Sequence, residues 1–108
     1  MAKEQELVKS ALELLKWKKI FCYRNNSGAI VLENKGKQRF MRFGASGSPD
    51  IICVIRGQFI GLELKAGKNK QSESQIKFQQ ELEKAEGKYH LIYSLEELQN
   101  IIQKYETN

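Results

Sequence analysis

The sequence predicts an α/β domain in which a mixed central β-sheet is flanked by helices. Three observations carry that prediction: an apolar stripe of helical period near the N-terminus, a continuously apolar β-branched run at Ile51–Ile55, and two capped helical segments enclosing a short strand towards the C-terminus. The chain has 108 residues, 41% hydrophobic and 29% charged, the composition of a folded domain rather than a disordered segment. One domain of that length buries roughly two-thirds of its unfolded surface.

Apolar residues at positions 7, 8, 11, 12, 14 and 15 place an amphipathic helix from Lys3 to about Trp17. Arg24-Asn25-Asn26-Ser27-Gly28 is rich in residues that tolerate positive φ and reads as a turn. Gly28–Glu33 and Lys37–Phe43 follow as two strands joined through Asn34-Lys35-Gly36, and Gly44 to Pro49 forms a loop. Ile51–Ile55 has the pattern of a strand buried on both faces; Arg56-Gly57 turns the chain and Gln58–Lys65 returns beside it. After a polar, basic loop at Gly67–Gln71, Ser72 and Gln75 form a capping box, and Gly87 fits the stop of that helix. Tyr89–Tyr93 is a short strand. Ser94 and Glu97 form a second box, opening a helix with an apolar stripe at Leu95, Leu98, Ile101, Ile102 and Tyr105. The expected order is α-β-β-β-β-α-β-α, without repeats or linkers.

Composition excludes several classes. No apolar run approaches the ~20 residues of a membrane span, and Met1-Ala2-Lys3-Glu4 does not read as a signal peptide. Two cysteines, Cys22 and Cys53, cannot build a Cys-rich zinc site or a disulfide framework; they read as structural thiols of a reducing cytosol, with a single bridge as the alternative. The net charge of +5 is uneven: residues 1–70 carry +8 and residues 71–108 carry −3. The basic excess thus belongs to one part of the molecule, as expected of a face for a polyanion, although a solvated basic surface has the same composition.

The chemistry-bearing residues lie inside that basic segment. The chain contains one aspartate and one proline, adjacent as Pro49-Asp50, in a glycine-rich loop just before the most apolar strand. Thirteen residues further on, the next strand carries Glu63-Leu64-Lys65. Strand alternation puts Glu63 and Lys65 on one face, roughly 6.6 Å apart, and Ile60, Leu62 and Leu64 on the other. Two carboxylates from adjacent strands suit a hard cation such as Mg²⁺, which prefers carboxylate oxygens and keeps several waters. A neighbouring ammonium can orient or deprotonate an attacking water and offset charge in a phosphoryl transition state. Glu-x-Lys alone is weak, since Glu33-Asn34-Lys35 and Glu86-Gly87-Lys88 share it, but only the middle copy sits inside a strand with an apolar opposite face.

Gly47-Ser48-Pro49-Asp50-Ile51-Ile52, then Phe59-Ile60-Gly61-Leu62-Glu63-Leu64-Lys65, then Ser72 to Gln75, together resemble the PD-(D/E)xK nuclease superfamily. More narrowly, they resemble its virus-type replication-repair nuclease (VRR-NUC) branch, as does Arg24-Asn25-Asn26-Ser27-Gly28 after the first helix. The resemblance runs from about Glu4 to Ser94. It implies a restriction-endonuclease-like fold, dependence on Mg²⁺ or Mn²⁺, and cleavage of DNA, with branched DNA such as Holliday junctions as the expected substrate. Duplex or flap DNA, or a non-catalytic DNA-binding subunit, are the alternatives. By the same resemblance Asp50 and Glu63 are metal ligands with the Leu64 carbonyl as a third, Lys65 is the catalytic lysine, and Gln75 is the family's glutamine. Gln75 shares a helix face with Phe78 and Leu82, so it should point at the sheet. Of the acids on the first helix, Glu4 shares the face of Leu7, Val8 and Ala11 and is the expected supporting carboxylate; Glu6 lies with Ser10 and Glu13. Standalone members of this size are typically phage or bacterial, implying a cytoplasmic setting. A small enzyme cutting both strands of a symmetric junction is expected as a homodimer.

The remaining features are weaker. His90, the lone histidine, reads as structural, and no Ser-His-Asp set is present. Gly44–Gly47 lacks the ending of a nucleotide-binding loop and is expected to let backbone approach DNA phosphate. Arg24, Asn26, Arg42, Ser48, Lys68 and Lys70 are the expected DNA contacts, Lys68-Asn69-Lys70 foremost because it follows the active strand. Lys16, Lys18, Lys19, Lys35, Lys37 and Arg39 are further phosphate candidates, and Trp17 is expected to staple the first helix to the sheet, with stacking on a base as the alternative.

Overall fold

The structure is a computed structural model that describes residues 2–25, 28–43 and 45–107; the side chains of residues 2, 28–32 and 40–43 lie outside the description. Its elements are α1 (Ala2–Trp17), β1 (Phe21–Arg24), β2 (Gly28–Asn34), β3 (Lys37–Phe43), β4 (Ile51–Ile55), β5 (Gln58–Leu64), α2 (Glu73–Lys84), β6 (Lys88–Ile92) and α3 (Leu95–Thr107). Four strands form the central sheet in the order β1-β4-β5-β6. β1 and β5 each run antiparallel to β4, whereas β6 runs parallel to β5, so the sheet is mixed and flanked by helices, as expected. A parallel neighbour cannot be reached by a tight turn, and α2 supplies the crossover.

The expected order lacked one strand. Phe21-Cys22-Tyr23-Arg24 pairs with β4 through Phe21↔Val54 and Arg24↔Ile51. Four residues at a sheet edge give too short an alternation to stand out beside the turn-rich run that follows. β2 and β3 form a separate two-stranded ladder inserted between β1 and β4. Both hairpins turn on two positive-φ residues, Lys35-Gly36 and Arg56-Gly57, the geometry whose twist matches the flanking strands.

One face of the sheet holds the core. Val8, Ala11 and Leu15 of α1 and Leu98 and Ile102 of α3 close over Ile51, Cys53, Ile55, Ile60, Leu62, Leu64 and Ile92. Each of the Val, Leu and Ile side chains contributes roughly 1.5–3 kcal/mol on burial. The α3 stripe is therefore core at Leu98 and Ile102. Trp17 departs from expectation: it is 81% exposed at the end of α1 and staples nothing. The helix ends there because the following residues leave the helical register, with Lys19 at φ 61° and Ile20 N–H donating back to Leu15 O.

The opposite face carries α2. That helix has no fully buried residue, and Phe78 meets Tyr89 of β6 with ring centroids 6.3 Å apart. Its left-handed terminating residue is Glu86 (φ 71°) rather than Gly87, where a Cβ would lie 2.4 Å from Leu82 Cδ1. Among the described residues no helix is long and apolar enough to cross a membrane.

Candidate active site

Asp50 precedes β4 and Glu63 lies near the end of β5. One step beyond the Ile51↔Leu62 pair, the antiparallel register sets Asp50 opposite Glu63. Ile51 and Leu62 belong to the core face, so the two acids share the other face. The Leu64 N–H donates to Asp50 Oδ2 at 2.9 Å, tying the loop carboxylate to the end of β5 and leaving its second oxygen for a ligand. Leu64 itself is a fully buried core side chain.

Glu63 is 4% exposed and Lys65 9%, so their 3.4 Å ion pair is buried rather than a solvated surface contact. Gln75 Nε2 donates to Glu63 Oε2 at 2.9 Å, while Gln75 Oε1 accepts the Ser72 backbone N–H at 2.9 Å. The Ser72 hydroxyl accepts the Gln75 N–H in return. One glutamine thus completes the capping box of α2 and holds the site carboxylate, the double use its place on the Phe78 and Leu82 face allows. Glu63 Oε1 is buried without a hydrogen-bond partner among the described residues. Such an orphaned acceptor costs on the order of 1–3 kcal/mol or more unless a ligand or water fills the position.

The electrostatics point the same way. Burial, and then the nearby Asp50 charge, push the Glu63 carboxyl up to about 7 against the opposing pull of Lys65. Burial likewise raises Asp50 above the usual carboxylate range, opposed by the Leu64 N–H. The buried Glu63 and the half-buried Asp50 face the Lys65 ammonium, with Arg24 acting on Asp50 from further off, so among the described residues the cluster suits an added cation. Among the described residues no group of three His, Cys, Asp or Glu side chains gathers as a metal cage. The residues nevertheless fit a hard divalent ion that supplies its own waters: two facing carboxylates, one with an unsatisfied buried oxygen.

Glu4 takes a different place from the other acids. Its Oε2 accepts the Ala66 N–H at 3.3 Å and the Asn69 side-chain amide, so it anchors the loop that leaves Lys65. The Asn69 bond, foremost, holds its carboxyl below the usual range. Tyr93 Oη donates to Asn69 O at 2.7 Å, fixing the same loop from the other side. Lys68 and Lys70 are exposed on it. Lys65 and Ala66 also line an open cleft of about 430 Å³ with Lys3, Ser10, Tyr93 and Leu95.

Of the expected DNA contacts, Arg24 is exposed and donates to Gln5 Oε1. Ser48 Oγ accepts from Asn25 Nδ2 at 2.9 Å. Asn26 and the Arg42 side chain lie outside the described residues. Within the glycine loop, Gly47 (φ 78°) abuts α2 so closely that a Cβ would lie 2.1 Å from Ser74 O, so its close approach is to the protein's own helix, and Gly44 lies outside the described residues. His90 is structural as expected, its Nε2 2.6 Å from Tyr105 Oη. Cys22 and Cys53 are free thiols directly opposite each other on β1 and β4.

Two contributors have structural roles that the sequence did not assign. Asn25 donates its N–H to Asp50 O and its side chain to Ser48 Oγ and Pro49 O, joining the two ends of the β2–β3 insertion beneath Asp50. Its place in the motif after α1 was the available signal. Asn69 stood in the loop expected to meet DNA, but its bond to Glu4 carried no sequence signal, because it depends on where α1 packs. A scan of protein-family models gives no match to this chain, and a search of curated proteins gives no significant relative.

Proposed function

We propose that the protein is a Mg²⁺- or Mn²⁺-dependent DNA endonuclease with a restriction-endonuclease-like fold, of the VRR-NUC kind, acting on branched DNA as a homodimer. The observation that carries the reading is the cluster of the half-buried Asp50 with the buried Glu63 and Lys65, one Glu63 oxygen held by Gln75 and the other unpartnered among the described residues. A purely DNA-binding surface has no use for two desolvated carboxylates facing a polyanion.

In this reading Asp50 and Glu63, with the Leu64 carbonyl, would hold the cation, which when bound would supply Lewis-acid polarisation of a phosphate oxygen and of a water. Gln75 fixes the Glu63 carboxylate. Lys65, adjacent to Glu63, orients the attacking water and offsets negative charge as the phosphodiester is cleaved. Glu4 positions the loop after Lys65, and the exposed Lys68 and Lys70, with Arg24, supply salt-sensitive contacts to the backbone.

The test is a panel of labelled duplex, flap, splayed and four-way DNA incubated with Mg²⁺, Mn²⁺ or EDTA. Metal-dependent cutting, greatest on the four-way substrate and abolished in Asp50→Ala and Lys65→Ala, is the expected result. DNA binding without cutting in every metal condition overturns the reading in favour of a binding subunit. Light scattering at the same concentrations reads the oligomeric state, with twice the 12.5 kDa chain mass expected.

A further inference from the structure

Tyr89 lies on β6, on the same sheet face as Glu63. The parallel register sets Tyr89 opposite Gly61 and Leu91 opposite Glu63, so Tyr89 and Glu63 are diagonal neighbours, a spacing that long and aromatic side chains span. Pro49 lies against Gly61, where a Cβ would fall 2.7 Å from its ring, and Phe78 packs against the Tyr89 ring. Tyr89 is 4% exposed, and its hydroxyl has no hydrogen-bond partner among the described residues. Two buried polar atoms are therefore orphaned at one end of the sheet: an acceptor, Glu63 Oε1, and a donor, Tyr89 Oη. A tyrosine hydroxyl carries its proton at neutral pH, so it is a donor here, and burial with the adjacent Glu63 charge works in the same direction. Gln71 lies beside the hydroxyl; one N–H of its amide goes to Gln79 Oε1 at 2.8 Å, leaving its second N–H and its carbonyl oxygen for a water there.

We propose that Tyr89 is a positioning residue for Glu63, its hydroxyl donating to one buried water that in turn donates to Glu63 Oε1 and the Gln71 carbonyl. Three polar partners around one site is the usual environment of a structural water. Gln75 would then fix one oxygen of the carboxylate and the Tyr89–water pair the other, and the second lone pair of Oε1 is left aimed at the cation. The inference rests on the reading of Asp50 and Glu63 as metal ligands only for its effect on metal affinity; the water bridge itself needs no metal.

The experiment uses the intact chain and Tyr89→Phe, which removes the hydroxyl and keeps the ring packed on Phe78. A thermal melt and calorimetric titration with Mn²⁺ alone are compared between the two. In EDTA at fixed pH, the Glu63 side-chain carboxyl carbon is followed by NMR. The expected result is a little-changed melting temperature, Mn²⁺ affinity weakened on the order of tenfold, as for other residues that orient metal ligands, and a displaced Glu63 resonance. An unmoved Glu63 resonance overturns the proposal, as does Mn²⁺ affinity equal to that of the unaltered chain. If the unaltered chain binds no Mn²⁺, the metal-centre reading fails instead, and the resonance in EDTA still decides the bridge.

Discussion

Glu63 is the residue at which stability and activity make opposite demands. It is buried beside Asp50, and among the described residues a single buried ammonium, Lys65, answers the two carboxylates. Its carboxyl is raised from the ordinary 4.5 to about 7 by burial first and Asp50 second. A carboxyl raised by folding contributes fully below its unfolded value and loses that contribution as pH rises through its folded value. The metal-free protein should therefore lose stability between about pH 4.5 and pH 7 and stay low above that range. Glu63→Gln leaves Asp50 and Lys65 as a balanced pair, so in EDTA at pH 8 it is expected to be more stable than the natural chain by about 1–3 kcal/mol. The same variant should bind no Mn²⁺. Urea melts in EDTA at pH 5 and pH 8 check both sign and window: an equal loss in the two proteins would show that Glu63 is not the group responsible. The identity of this residue was legible from an acid on an otherwise apolar strand, but its burial was not. That depends on α2 folding back across the sheet and on Gln75 reaching it.

At the scale of the element, α2 links fold and site most directly. It buries no residue fully, so its position is fixed by its N-terminal cap, the Phe78–Tyr89 contact and the approach of Gly47. The cap was legible because Ser72 and Gln75 stand at capping-box spacing; the short edge strand β1 was not, because four residues give two alternations. The double role of Gln75 separates by chemistry. Gln75→Glu keeps an oxygen that accepts the Ser72 N–H but replaces the amide donor with a carboxylate against Glu63. It should keep the helix cap while changing metal affinity, since the donor that orients Glu63 is replaced by a further negative charge. Ser72→Ala removes only the hydroxyl that accepts the Gln75 N–H and should cost about 1 kcal/mol while sparing the site. Chemical denaturation read beside Mn²⁺ titration distinguishes them; a Gln75→Glu variant with unaltered metal affinity would remove Gln75 from the site. Gly47→Ala is the harsher change, since its Cβ would meet backbone in a positive-φ conformation. The Gly47 turn and the α2 N-terminus would have to part, shifting Gln75, and loss of both stability and metal affinity is expected.

Across the whole molecule, the charge asymmetry acquires a location. The segment of residues 1–70, carrying +8, includes the loop at 65–70 that Glu4 and Tyr93 hold from two sides, whereas α2, β6 and α3 lie in the stretch carrying −3. A polyanion approaching Lys65 therefore meets Lys68 and Lys70 on a loop already anchored, so few residues need ordering on binding. For such contacts the logarithm of the DNA association constant falls linearly with the logarithm of salt, with a slope of about −0.9 per phosphate neutralised on duplex DNA. Lys68→Ala with Lys70→Ala should make that slope shallower by about 1.8 if both lysines touch phosphate. Asn69→Ala retains both charges but cuts the side-chain bond to Glu4. It should weaken binding at every salt concentration and leave the slope nearly unchanged, because the contacts survive once the loop is reordered. Fluorescence anisotropy with four-way and duplex DNA from 50 to 300 mM salt, about the range over which such contacts lose most of their affinity, separates the two effects. A double-lysine slope equal to that of the natural chain would move the phosphate contacts away from this loop, leaving the basic residues nearer the N-terminus to account for the asymmetry.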